Sequence, residues 1–152
     1  VRRGVRLAID WGDARIGVAA CDRDGVLAYP LDTVPAGAAE LTRLAELVAE
    51  HAPIEVIVGL PRSLSGGEGP AAVKTRERAA RLVSELGVPV RLVDERLTTV
   101  TASQQLRASG KKAKQQRPLI DAAAAAAILE HALAIERSGG IPPGELVSGG
   151  PD

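Results

Sequence analysis

Short aliphatic runs closed by a polar residue alternate along this chain with longer stretches in which Leu, Val and Ala recur every three or four positions. Residues 5–9 and 16–20 are two such runs, the first closed by Asp10, with only Trp11 to Arg15 between them. Runs this close together predict a hairpin of antiparallel strands. A third strand is expected within 26–34, where Pro30 marks an edge or an irregularity. Leu41, Leu44, Leu47 and Val48 then repeat at helical spacing over about 38–50. Val56, Ile57 and Val58, closed by Gly59, predict a buried strand over 55–58, and Pro61, Gly66, Gly67 and Gly69 predict a loop over 60–69. A helix follows over 70–86 with Gly87 as its stop, then a strand over 88–93 that delivers Asp94 and Glu95 at its end. Residues 98–108 read as a helix and 109–117 as a basic connection. Pro118 in a first turn starts a final helix that runs to about Arg137. The Gly- and Pro-rich remainder shows no periodicity, so one domain over 1–137 with a disordered tail over 138–152 is expected.

The order β-β-β-α-β-α-β-α-α predicts an α/β fold, a mixed sheet with helices on both faces. Right-handed crossovers would make strands one, four and five parallel. Their C-terminal ends then share an edge, gathering Asp10, the 59–69 loop and Asp94-Glu95, and in open sheets such an edge is where ligands bind.

A chain of 152 residues suffices for one domain with its own core, which here must be aliphatic, since there is no Phe, one Trp and one Tyr. So few aromatics also argue against recognition by base stacking. The 19 basic and 19 acidic residues cancel, so overall charge gives no sign of a polyanionic partner, and local patches must decide. One cysteine, Cys21, excludes an internal disulfide framework, and no Cys/His cluster has zinc-site spacing. No leader-like or membrane-spanning stretch is read, Arg6 and Asp10 interrupting the first apolar run. Cytoplasm is the expected compartment.

Asp10 is the most informative residue, because a carboxylate closing an aliphatic strand must have its charge compensated. It is either a metal ligand or a turn residue capping the 11–14 backbone. Asp94 and Glu95 end a strand beside Arg96, an arrangement common at solvated edges. Asp121, in the expected first turn of the last helix, is where acid is favoured by free N–H groups and the helix dipole. The six alanines after it, however, make a helix face able to approach a sheet closely. If the acids converge, oxygen donors without His or Cys imply Mg²⁺ or Mn²⁺, and such ions support phosphodiester hydrolysis without a general-base side chain. Gly12 to Gly17 is not a P-loop, because no Lys-Ser/Thr pair follows. Arg107, Lys111, Lys112, Lys114 and Arg117 form a run free of acid that either is solvated surface or tracks a nucleic-acid backbone. His51 and His131 stand alone and read as structural, and Cys21 as a small apolar filler.

Ile9-Asp10-Trp11-Gly12, Arg15-Ile16-Gly17-Val18-Ala19, Val58-Gly59-Leu60-Pro61, Asp94-Glu95-Arg96-Leu97-Thr98-Thr99 and Ile120-Asp121 with Ala123, Ala124, Ile128 and Leu129 resemble, in order and spacing, the YqgF/RuvX family. The resemblance covers roughly 5–133. It implies an RNase H-like fold with a five-stranded sheet ordered 3-2-1-4-5. It also implies a nuclease acting on Holliday junctions or on the 5′ end of the 16S ribosomal RNA precursor. Carried over by motif, Asp10, Glu95 and Asp121 are the expected catalytic and metal-binding acids. Arg15, Arg62 and Arg96, with Lys111, Lys112, Lys114 and Arg117, are the expected nucleic-acid contacts. Asp13 and Ala14 depart from the basic character usual in that turn.

Two other classes compete. An actin-like or sugar-kinase ATPase shares the Asp-x-Gly turn but closes two domains over ATP, and this chain has one. A ribosome-assembly or transcription factor that binds without cutting would act equally well in a chelator. The expected partner is structured RNA or branched DNA, without a membrane, and the chain is a monomer or homodimer, paired junction cuts favouring a two-fold dimer.

Overall fold

The computed structural model describes residues 1–62, 67–95 and 113–147, with backbone only over 113–120. The expected 98–108 helix, Arg96, Lys111 and Lys112 lie outside the described residues. Strands β1 (Arg6–Trp11), β2 (Arg15–Cys21) and β3 (Ala28–Pro35) form an antiparallel meander, and α1 (Glu40–His51) leads to β4 (Glu55–Leu60). Helix α2 (Pro70–Leu86), β5 (Val90–Asp94), α3 (Ala113–Gly139) and a short β6 (Glu145–Leu146) follow. The sheet order is β3-β2-β1-β4-β5-β6, with β4 parallel to both β1 and β5 and β6 antiparallel to β5.

The local signals act as expected. Pro70 opens α2, and Gly87, in the left-handed region at φ 65°, closes it by donating to the Val83 carbonyl at 3.0 Å. Pro30 lies on the edge strand β3, where the register with β2 shifts opposite Val18 and Ala19.

Three expectations need correcting. The sheet has six strands rather than five, because Glu145–Leu146 lies in the stretch read as a structureless tail. A two-residue strand carries no periodicity, and its place comes from pairing: Arg91 and Leu92 register with Leu146 and Glu145, and Arg76 bonds both Glu145 carboxylate oxygens at 2.6 and 3.1 Å. Part of the basic connection is helical, since α3 begins at Ala113. Asp121 is therefore about two turns inside the helix rather than at its start, away from free N–H groups.

Strand alternation splits the interior into two layers. Leu7, Ile9, Trp11, Val56, Val58 and Leu60 face α1 and α2 together with Leu44, Leu47 and Leu82. Ala8, Ala19, Cys21, Ile57 and Val93 face α3 through Ala125, Ala126, Ile128, Leu129 and Leu133. The second layer is thin because small residues meet across it. At Gly17 a Cβ would collide with the main-chain carbonyl oxygen of Asp121, so helix and sheet touch backbone to side-chain-free backbone there.

The same face carries a buried ionic network at the opposite end of the parallel strands. Arg6, buried on β1, reaches Glu136 of α3 at 3.0 Å, and Glu55, buried on β4, accepts from Arg91 at 3.0 Å. Arg2 bridges the two acids at 2.8 Å to Glu136 and 2.6 Å to Glu55. Each buried carboxylate thus has more than one cationic partner, the condition under which buried charge is tolerated.

Gly17→Ala is expected to destabilise the chain by about 1–3 kcal/mol, since the colliding atom is main chain and cannot rotate away. Gly139→Ala, where a Cβ meets nothing closer than 3.9 Å, should be neutral or slightly stabilising. Denaturant midpoints of the two variants check this, and equal stability would remove the close-contact account of α3 packing.

Candidate active site

Parallel β1, β4 and β5 end on one edge, beside the start of antiparallel β2. Register decides which side chains meet there. Asp10 pairs with Gly17 and lies one position beyond the Ile9–Val58 pair, so Gly59 follows beside it on β4. Both glycines keep the α3 side of this edge clear. At Gly59 a Cβ would stand 2.6 Å from Glu95 Oε2, so only glycine lets the Glu95 carboxyl lie across β4 toward Asp10.

Asp10 and Glu95 are half-buried and hydrogen-bonded to each other through their side chains. Burial is the main force on both, disfavouring the charged forms. It pushes Asp10 up to about 6, aided by the nearby Asp121 charge and opposed by the hydrogen bond from Glu95. Glu95 is pushed up to about 8, with the Asp10 charge, the hydrogen bond to Asp10 and the Asp94 charge all adding to burial. The pattern is that of two carboxyls sharing a proton held on Glu95, which donates to Asp10.

Asp121 faces the same region from α3. Its Oδ2 accepts from Arg15 Nε at 2.8 Å, both side chains being partly exposed. Among the described residues no three His, Cys, Asp or Glu side chains gather closely enough to surround one ion. The structure therefore brings the expected acids to one edge as a carboxyl pair with a third acid alongside, held by an arginine.

Asp10 and Glu95 line a cleft of about 460 Å³ that continues over the sheet edge to α2, where Trp11, Asp13, Lys74 and Arg78 form its far wall. Lys74 Nζ and Arg78 Nη2 lie 3.3 and 3.2 Å from Asp13 Oδ1, and hold its carboxyl below the usual carboxylate range, the Lys74 hydrogen bond contributing most. The Arg78 guanidinium lies over the Trp11 ring, 5.5 Å from its centroid. Sequence reasoning missed Lys74 and Arg78. Their spacing of four residues on α2 puts both on one helix face, but nothing in the sequence distinguishes a cleft wall from open solvent.

Other expected contacts disperse. Arg62 lines a separate cavity of about 310 Å³ with Asp94, His131 and Glu145, and is 3.7 Å from Glu68. Asp94 and Glu95, adjacent in sequence, thus open into different clefts. Lys114 and Arg117 lie on the first turns of α3. Cys21 is buried in the α3 layer, its sulfur accepting from the Arg6 backbone N–H at 3.3 Å, as suits a small filler.

Similarity to known proteins follows the same residues. A family model, RuvX, described as Holliday junction resolvase, matches residues 4–135. A protein of Streptomyces coelicolor named "Putative pre-16S rRNA nuclease" is 63% identical over 97% of this chain and 90% of its own length. One of the same name from Streptomyces avermitilis is 62% identical over 97% and 96%. Thermus thermophilus RuvC in complex with a Holliday junction substrate superposes with a TM-score of 0.54 at 22% identity, covering 91% of this chain and 98% of that one. At that identity the likeness establishes the fold, which is RNase H-like.

The shared proton fixes a pH dependence. A carboxyl whose folded pKa is raised stabilises the fold fully below its unfolded value, and that contribution is lost as pH rises through the folded value. Chelator-treated protein should therefore lose stability from about pH 4 to about pH 8, by about 1.4 kcal/mol per unit of separation between folded and unfolded pKa. Asp10→Asn or Glu95→Gln should flatten the curve. Urea midpoints across that range check it, and a wild-type curve in both variants would contradict the shared proton.

Proposed function

The chain belongs to the RuvX family, and from that membership and the acid site at the sheet edge we propose that it is a metal-dependent endonuclease of the cytoplasm that hydrolyses nucleic-acid phosphodiesters. The observation that carries the reading is the half-buried Asp10–Glu95 pair. Two carboxyls that share a proton form a site that a bound cation would relieve, and their donors are all oxygen. That chemistry fits Mg²⁺ or Mn²⁺, which Asp10, Glu95 and Asp121 would hold. Bound there, the ion supplies activation of a water and stabilisation of the leaving oxygen.

The chain's own groups do the rest. Glu95 keeps a proton that it can give up when positive charge arrives, Asp10 accepts its hydrogen bond, and Arg15 fixes the Asp121 carboxylate at 2.8 Å. Gly59 keeps a side chain out of the space that the Glu95 carboxyl occupies, and Gly17 lets the α3 main chain at Asp121 come close to β2. Arg62, Arg96, Lys111, Lys112, Lys114 and Arg117 are assigned to phosphate contacts outside the reacting centre, and Arg15, which also holds Asp121, to one at its rim. With these contacts made to phosphates, recognition is by backbone charge and shape.

Maturation of the 5′ end of pre-16S ribosomal RNA is the favoured activity, because relatives above 60% identity over nearly the whole chain carry that name. Holliday junction resolution is the second reading, supported by the family description and by the RuvC fold likeness. Among the described residues no helix is long and apolar enough to cross a membrane.

A cleavage assay offering a 5′-extended 16S precursor and a four-way DNA junction side by side, with Mg²⁺, Mn²⁺ or EDTA, tests this. Asp10→Asn, Glu95→Gln and Asp121→Asn should each lower the rate by about a hundredfold or more, the usual cost of removing one preorganised charge-stabilising group. Wild-type rates in Asp10→Asn would end the assignment, and undiminished action in EDTA would favour a binding factor instead.

A further inference from the structure

The far wall of the cleft carries positive charge that neither the fold nor the acid site accounts for. Lys74 and Arg78 meet at a single carboxylate, Asp13, in the β1–β2 turn, and the side chains of Lys74 and Asp13 are 54% and 80% exposed. Ion pairs this exposed contribute little to stability, so holding the turn is not reason enough for two cations there. Arg78 differs from an ordinary surface arginine. Its side chain is only 20% exposed, and its guanidinium is set on the Trp11 ring, which is anchored in the core. Stacking of this kind fixes the plane of the fork before any ligand arrives. Trp11 itself lines the cleft, and among the described residues its buried indole N–H has no acceptor.

The two walls have opposite sign. Asp10 and Glu95 would repel a phosphodiester approaching from the α3 side, whereas Lys74 and Arg78 would attract one on the α2 side of the same continuous cleft. A polyanionic strand that crosses the sheet edge presents successive phosphates, so one can reach the acids while a neighbour rests on the cations. Asp13 Oδ1 sits where a phosphate oxygen would, accepting from both.

We propose that Lys74 and Arg78 form a phosphate-binding subsite for the substrate strand beside the acid pair, and that Asp13 occupies this subsite until nucleic acid displaces it. The inference rests on the nuclease reading and adds to it where the strand runs and what it must displace. Asp13 then acts as a competitor, setting how much backbone charge a ligand must bring to enter.

The sign of the Asp13 effect makes the test decisive. Binding of a fluorescein-labelled four-way DNA junction and of a labelled 5′-extended 16S precursor is measured by anisotropy in EDTA over a series of salt concentrations. Lys74→Gln and Arg78→Gln should each weaken binding roughly three- to tenfold and reduce the salt slope by roughly 0.7 to 0.9, the loss of one phosphate contact. Asp13→Asn should tighten binding. With Mn²⁺ present, the two cation variants should raise KM and leave kcat within about twofold, since the contact is made equally in ground and transition states. Should Arg78→Gln lose stability by unstacking from Trp11, the exposed Lys74 and Asp13 variants still carry the comparison. A parent chain that binds and cuts while the variants keep its affinity and slope overturns the subsite alone. Weaker binding in Asp13→Asn overturns it too, showing a structural latch. A parent chain that binds neither probe overturns the nuclease reading and the subsite with it.

Discussion

The close approach of α3 to the sheet is the constraint on which the site depends. Gly17 lies against the main-chain carbonyl of Asp121, and Ala8 and Ala19 face Ala125 and Ala126 in the layer behind it. Such small residues bury little area each, but they bring backbone against backbone, where close-packed contacts are many and rotamer entropy is not lost. The Asp121 carboxylate is consequently placed by a packed helix rather than by a loop. A third acid near Asp10 and Arg15 is a by-product of how the domain packs, and rigid elements hold a site more accurately than loops do.

One face of the sheet carries charge at both of its ends, and the two ends are resolved differently. At the N-terminal edge of the parallel strands, Arg2, Arg6 and Arg91 surround Glu55 and Glu136 at 2.6–3.0 Å, and the acids there are satisfied. At the C-terminal edge Arg15 is bound to Asp121, and Asp10 and Glu95 are hydrogen-bonded to each other. Burial raises the pKa of both Asp10 and Glu95. Compensation, not burial, separates the ionic network from the proposed site. Glu55 is the more deeply buried and has two arginine partners, whereas among the described residues Asp10 has no ion pair.

The same distinction governs what could be read from the chain. Strand alternation, the Leu spacing of α1 and the Pro70 and Gly87 signals of α2 are local, and the structure follows them. Asp10 was legible because a carboxylate closing an aliphatic run conflicts with its neighbours. Arg6, lying in the same run, gives a similar conflict, but its partner Glu136 is 130 residues away, and only packing brings them together. β6 was illegible for the same reason, being defined by pairing with β5 and by Arg76. Pro118 suggests a first turn and so places Asp121 at a helix start, whereas α3 is already helical at Ala113, five residues earlier. With the helix start displaced, the dipole no longer explains an acid at that position, and the functional account of Asp121 gains what the structural one loses.

A chain with equal numbers of acidic and basic residues has no global field to draw in a polyanion, so attraction must come from how charge is distributed over a few ångströms. Adjacent strand residues point to opposite faces, so Asp10 and Trp11 fall on different sides of one strand end. Around Asp10 the fold collects acids from β5 and α3, and around Trp11 it collects Arg78 and Lys74 from α2. The pleat of β1 thereby sorts the two signs to either side of the same edge, and the cleft spans both. In the proposed subsite a strand of phosphates lying across that edge would displace Asp13 and rest on the cations while a neighbouring phosphate reaches the acids, which lets a chain of zero net charge hold a polyanion beside a group of carboxylates.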